Sequence, residues 1–102
     1  MRPGVRLAVD VGTVRVGLAR SDAGGILALP LETLTRQDDA SEINEIVRYA
    51  NELEVIEIIV GLPRHMRGGE GISAKGARRY ARKLKMVLPE CRVCLVDERL
   101  SS

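Results

Sequence analysis

Tryptophan and phenylalanine are absent from this chain of 102 residues, and tyrosine occurs only twice. The core must therefore be aliphatic, and a row of rings for stacking single-stranded bases is not provided for. The two cysteines stand as Cys91-Arg-Val-Cys94, a CxxC spacing. No second Cys or His pair completes a zinc site. At the entry to a strand, residues three apart point to opposite faces, so the pair reads as buried structural thiols. No apolar run is long enough to span a bilayer. Met1-Arg-Pro-Gly4 lacks the following apolar stretch of a signal peptide. The expectation is a cytoplasmic protein without membrane contact. A large excess of charge of one sign is also missing: the formal net charge is +2. What is present, 45% hydrophobic and 29% charged residues, describes a globular chain with one core.

The chain opens with Arg6 to Val9, a buried strand ending at Asp10, followed by Gly12 and Thr13. A second strand, Val14 to Ala19, has Val14, Val16 and Leu18 facing one way. Ala23-Gly24-Gly25 is a turn signal, and Ile26 to Leu34 is a third strand whose Pro30 favours a sheet edge. The period then changes. Asp39-Ala-Ser-Glu42 reads as a capping box, with an acid reaching for the first free N–H groups. Ile43, Ile46, Val47, Ala50 and Leu53 follow at helical spacing, with Glu42, Glu45, Arg48 and Glu52 assigned to a solvated face. The β-branched run Val55 to Val60 ends at Gly61-Leu-Pro63 and reads as a strand parallel to the first. A glycine-rich loop carrying Arg64, His65 and Arg67 leads to a second helix, from about Ser73 to Leu88. Its basic side, Lys75, Arg78, Arg79, Arg82, Lys83 and Lys85, is the strongest charge asymmetry in the chain. It serves either solubility or a phosphate backbone. Arg92 to Val96 is the final strand, followed by Asp97 and Glu98.

This β-β-β-α-β-α-β order makes the first, fourth and fifth strands parallel neighbours. In such sheets ligands gather at the carboxyl ends of the strands. Asp10, Gly61-Leu-Pro63 and Asp97-Glu98 all fall at that rim. Carboxylates there suit Mg²⁺ or Mn²⁺, whose preferred ligands are oxygens. The same residues also fit plainer roles: Asp10 and Gly12 serving a hairpin turn, and Asp97 and Glu98 pairing with Arg99 or Arg64 at the surface.

Three segments, Val9-Asp-Val-Gly-Thr-Val-Arg-Val-Gly17, Ile59-Val-Gly-Leu-Pro63 with its glycine-rich loop, and Val96-Asp-Glu-Arg-Leu-Ser-Ser102, resemble in order and spacing the motifs of the YqgF/RuvX family. That family is described as Holliday-junction resolvases and as nucleases maturing the precursor of small-subunit ribosomal RNA. The resemblance covers nearly the whole chain. It implies a ribonuclease-H-like α/β fold, a mixed five-stranded sheet in the order 3-2-1-4-5 with flanking helices, forming a single domain over residues 1–102. It implies Asp10 and Glu98 as metal ligands and catalytic acids, with Asp97 beside them. Gly12, Thr13, Arg15, Arg64 and Arg99 would bind substrate near the scissile phosphate. The implied partners are structured RNA or branched DNA, and the implied cofactor is Mg²⁺ or Mn²⁺.

Departures from the family pattern shape the remaining expectations. The family's further C-terminal helix, with another aspartate, has no counterpart before Ser102. A site with two of three carboxylates is expected to bind metal more weakly. An uncovered sheet is expected to favour a homodimer or exchange of elements between chains. Arg67 stands where some relatives carry an acid, and Ser101-Ser102 replaces the commoner Thr-Thr. Two further readings use the same features. One is a non-catalytic nucleic-acid-binding module with a steep salt dependence. The other is a fragment of the sugar-kinase and actin superfamily, whose first phosphate loop also has an Asp-x-Gly-Thr hairpin.

Overall fold

A computed structural model describes residues 4–21, 28–61 and 74–96. The elements are β1 (Arg6–Val11), β2 (Arg15–Ser21), β3 (Ala28–Thr35), α1 (Glu42–Glu52), β4 (Glu57–Gly61), α2 (Ala74–Val87) and β5 (Arg92–Val96). They build a five-stranded sheet in the order β3-β2-β1-β4-β5. β1 pairs antiparallel with β2, and β2 antiparallel with β3. β4 pairs parallel with β1 on one side and with β5 on the other. This is the mixed sheet that the element order predicts. Pro30, which cannot donate to a ladder, sits in β3 at the sheet edge, just past a register shift at Leu18/Ala19.

Period-two alternation separates two faces. Leu7, Val9 and Val11 of β1, Val16 and Leu18 of β2, Leu34 of β3, and Ile58 and Val60 of β4 are buried. Ile43, Ile46 and Ala50 from α1 join the same core, as do Tyr80 and Leu84 from α2 and Leu88 just after it. Both helices therefore cover one face. The other face carries Arg6, Ala8 and Asp10 of β1 with Gly17 and Ala19 of β2.

Two expectations need correction. Val14 does not lie in β2 with Val16 and Leu18. It stands in the turn, 60% exposed, because the hairpin needs residues 12–14 to reverse the chain. Glu42 is not on a solvated face, and no capping box forms. Ser41 occupies the N-cap without a side-chain hydrogen bond. Asp39 instead accepts the Ser41 N–H at 3.0 Å, and the Ser41 side chain, followed by that N–H, holds its carboxyl below the usual range. Glu42 turns inward and is 6% exposed. It accepts the Gln37 N–H and the Tyr80 hydroxyl, each at 2.9 Å. The reason is periodic: Glu42, Ile46 and Ala50 are successive i, i+4 positions, so residue 42 lies on the core line despite its charge. Glu45, Arg48 and Glu52 do form the exposed face, with Arg48 paired to both acids at 2.9 Å.

Candidate functional site

The rim at the carboxyl ends of β1, β4 and β5 is set by strand register. Asp10 is opposite Gly61 of β4, and Gly61 is opposite Val96 of β5. On the other side Asp10 is opposite Gly17 of β2. The only carboxylate of β1 thus stands between two residues that have no side chain. Its own side chain is exposed. A Cβ added at Gly17 would sit 3.9 Å from the Cβ of Asp10, so larger groups there would crowd the carboxylate. Small residues continue across this face. Asp10, Ala8, Gly17, Ala19, Pro30 and Thr33 line a depression of about 480 Å³.

The turn beside Asp10 is held from several sides. The Gly12 N–H donates to the Arg15 carbonyl at 2.8 Å, closing the hairpin. A Cβ at Gly12 would lie 3.2 Å from that same carbonyl oxygen, a contact that only glycine avoids without displacement. Arg36 Nη1 donates to the Gly12 carbonyl at 3.1 Å, and the Arg36 N–H donates to the Val14 carbonyl at 2.8 Å. The Arg36 guanidinium also lies over the Tyr80 ring, 5.4 Å from its centroid. The core of α2 therefore reaches the rim through one side chain. Sequence reading missed Arg36, since an arginine just after a strand carries no motif. Thr13 and Arg15 are exposed in and after the turn. Arg15 is two residues from Gly17 and so shares the face of Asp10.

Among the sequence-predicted site residues, the structure brings together Asp10, Gly12, Thr13 and Arg15. Arg64, Asp97, Glu98 and Arg99 lie outside the described residues, as does His65. What is described is that β5 runs to Val96, level with Asp10, and that Asp97 and Glu98 are the next two residues of the sequence. Among the described residues no group of three or more His, Cys, Asp or Glu could hold a metal ion. Among the described residues Asp10 is the one carboxylate at this rim, a hard oxygen donor that suits a cation of the Mg²⁺ type and not a thiophilic one.

The opposite end of the same face carries a separate polar group. Arg6, Glu57 and Arg92 are in register across β1, β4 and β5. Arg6 Nε and Glu57 Oε1 are 2.9 Å apart. Cys94 Sγ donates to Glu57 Oε2 at 3.1 Å, and Cys91 Sγ to the Val55 carbonyl at 3.5 Å. The Cys94 bond, followed by that of Arg6, keeps Glu57 below the usual carboxylate range. The Cys94 thiol is pushed up by the Glu57 carboxylate, and the Cys91 thiol by burial. Both cysteines are free and half-buried, and both are held in the protonated form, as structural thiols are.

A mixed sheet in this order, with an acid at the carboxyl rim of its first strand, defines an α/β protein of the ribonuclease-H-like class. The chain belongs to the RuvX family, whose model, described as Holliday junction resolvase, matches residues 4–102. Among curated relatives it is similar to a "Putative pre-16S rRNA nuclease" of Kineococcus radiotolerans, at 50% identity over all of this chain and 55% of that protein. A protein of the same name from Mycobacteroides abscessus is 46% identical over 97% of this chain and 60% of its own length. One from Thermobifida fusca is 47% identical over 100% of this chain and 63% of its own. The chain thus spans between half and two thirds of the length of these relatives. Among the described residues no helix is long and apolar enough to cross a membrane.

Proposed function

We propose that the protein is an endonuclease that hydrolyses phosphodiester bonds in structured RNA, and that its substrate is the 5′ end of pre-16S rRNA. Branched DNA is the second substrate class in keeping with the family's description. The reading is carried by one observation: Asp10, Gly61 and Val96 are in register, which sets the first acid level with the strand end that leads into Asp97 and Glu98. In this reading Asp10 and Glu98 hold Mg²⁺ or Mn²⁺, with Asp97 beside them. Divalent ions bound there would activate water and stabilise the leaving oxygen. Arg15, on the same face, and Arg64 and Arg99 would neutralise the phosphate. Gly17 and Gly61, opposite Asp10 on either side, put no side chain against it. The function belongs to ribosome maturation in the cytoplasm.

The test is cleavage of a 5′-extended 16S rRNA substrate with Mn²⁺, alongside Mn²⁺ binding followed by electron paramagnetic resonance. Asp10→Asn is expected to lower cleavage about a hundredfold or more, the rate equivalent of several kcal/mol. It is also expected to weaken Mn²⁺ binding while leaving the circular dichroism spectrum unchanged. Full cleavage by that variant removes the assignment. Salt-sensitive RNA binding with no metal-dependent cleavage by the parent chain favours the non-catalytic binding module.

A further inference from the structure

The two helices treat their exposed cations differently. In α1, Arg48 is paired on both sides, with Glu45 and Glu52. In α2 the sequence offers six basic residues and no acid. All six are exposed, and among the described residues none forms an ion pair with a carboxylate. Like charges four residues apart repel, so Arg78 and Arg82 tax the helix that carries them.

Their placement is directional. The buried line Ala77, Tyr80, Leu84 and Leu88 fixes the helix on the sheet. With 3.6 residues per turn, Arg78, Arg82 and Lys85 then share the flank that borders β5. Between that flank and this edge strand lies a groove of about 380 Å³, lined by Arg78, Arg82, Lys85, Arg92, Val93 and Leu95. Lys85 also donates to the Pro89 and Cys91 carbonyls at 3.2 and 2.8 Å, holding the groove's lower end together. β5 starts level with Glu57 and runs parallel to β4. The C-terminal end of α2 is therefore at the end of the sheet away from the rim, and its N-terminal end is toward the rim. From Lys85 to Arg78 the charged flank climbs about 10.5 Å in the direction of Asp10.

We infer that the groove between α2 and β5 is a docking track for the phosphodiester backbone of double-stranded nucleic acid, leading it toward the carboxylate rim. This deepens the nuclease reading above and rests on its nucleic-acid partner. A duplex is the occupant because the track offers cations and no exposed ring: Tyr80 is buried, and the Tyr49 ring lies beside Arg48 on α1. A paired strand presents its phosphates outward and needs no stacking partner, whereas single strands are held by aromatic platforms.

The experiment is fluorescence anisotropy of a labelled RNA duplex in EDTA, as a function of salt. It compares the parent chain with Arg78→Gln/Arg82→Gln and with the off-track pair Arg79→Gln/Lys83→Gln. Each phosphate contact contributes about 0.9 to the slope of log affinity against log salt. The track variant is expected to lower that slope by about 1.8, so that between roughly 50 and 200 mM salt the parent loses about 12-fold more affinity than the variant. The off-track pair is expected to lower it by less. Failure of the catalytic reading, seen as full cleavage by Asp10→Asn, leaves this binding result intact and is thereby distinguishable. Equal losses from the two double variants, an unchanged slope in the track variant, tighter binding of a single strand of equal length, or stronger binding to phosphatidylserine vesicles than to the duplex would each overturn the track.

Discussion

Tyr80 is 2% exposed, and its hydroxyl donates to a carboxylate oxygen of Glu42, itself 6% exposed. A buried acceptor that loses its donor bears the desolvation cost without the compensating bond. Tyr80→Phe is therefore expected to destabilise the fold by about 1–3 kcal/mol. Urea denaturation reads this directly, and a cost below about 0.5 kcal/mol would show that the bond contributes little. Because Tyr80 also lies beneath Arg36, which donates to the Gly12 carbonyl, the same core position supports the turn next to Asp10. At this scale the sequence was unevenly legible. Asp10 could be found because an acid ending an apolar run, followed by Gly12 and Thr13, is a local pattern. Arg36 could not, because its role arises from where two distant segments meet. Glu42 misled because charge was weighed above its place on the line of Ile46 and Ala50.

At the scale of elements, the helix and strand order could be read because the spacing of apolar residues shifts from two to 3.6 after Thr35 and returns at β4. Parallel pairing of β1, β4 and β5 then follows from connections that each contain a helix. Helix ends were less legible. The C-terminus of α1 closes as a Schellman motif: the Val55 N–H donates to the Ala50 carbonyl at 3.1 Å, and the Glu54 N–H to the Asn51 carbonyl at 3.3 Å. Val55 and Ala50 are both buried, giving the apolar contact that accompanies the motif. The residue that must turn left-handed is Glu54, at φ 51°. Glycine is the usual signal there, and a glutamate conceals it. Its Cβ makes this conformation costly, by about 1–2 kcal/mol. Glu54→Gly is accordingly expected to stabilise the protein by about 0.5–1 kcal/mol, after allowing for the greater freedom of glycine in the unfolded chain. Thermal unfolding should show a rise of about 4 °C, and a fall would mean that unfolded-state entropy outweighs the relief.

For the whole molecule, a phenol on one face of the sheet and two thiols on or beside the other hold their protons more tightly than an unfolded chain would. On the covered face, burial and then the Glu42 hydrogen bond push the Tyr80 phenol well above its ordinary value. On the open face and at its margin, Cys94 and Cys91 are also pushed up. Above about pH 9 the unfolded chain releases thiol protons, and above about pH 10 phenol protons, that the folded chain retains. The unfolded state then binds fewer protons, so stability must fall as pH rises. For Tyr80 the slope is about 1.4 kcal/mol per pH unit once the unfolded phenol ionises. Glu57 acts in the opposite window: its lowered carboxyl contributes stability above the ordinary glutamate range, lost as pH falls through that range and below. Urea midpoints should therefore be level through neutral pH and decline on both sides. Tyr80→Phe, less stable at pH 7, should decline less steeply above pH 10 than the parent chain, so that the two curves converge. Parallel curves there would mean that the phenol inside the core ionises as readily as one in water, and the Glu42–Tyr80 contact would have to open before the rest of the fold does.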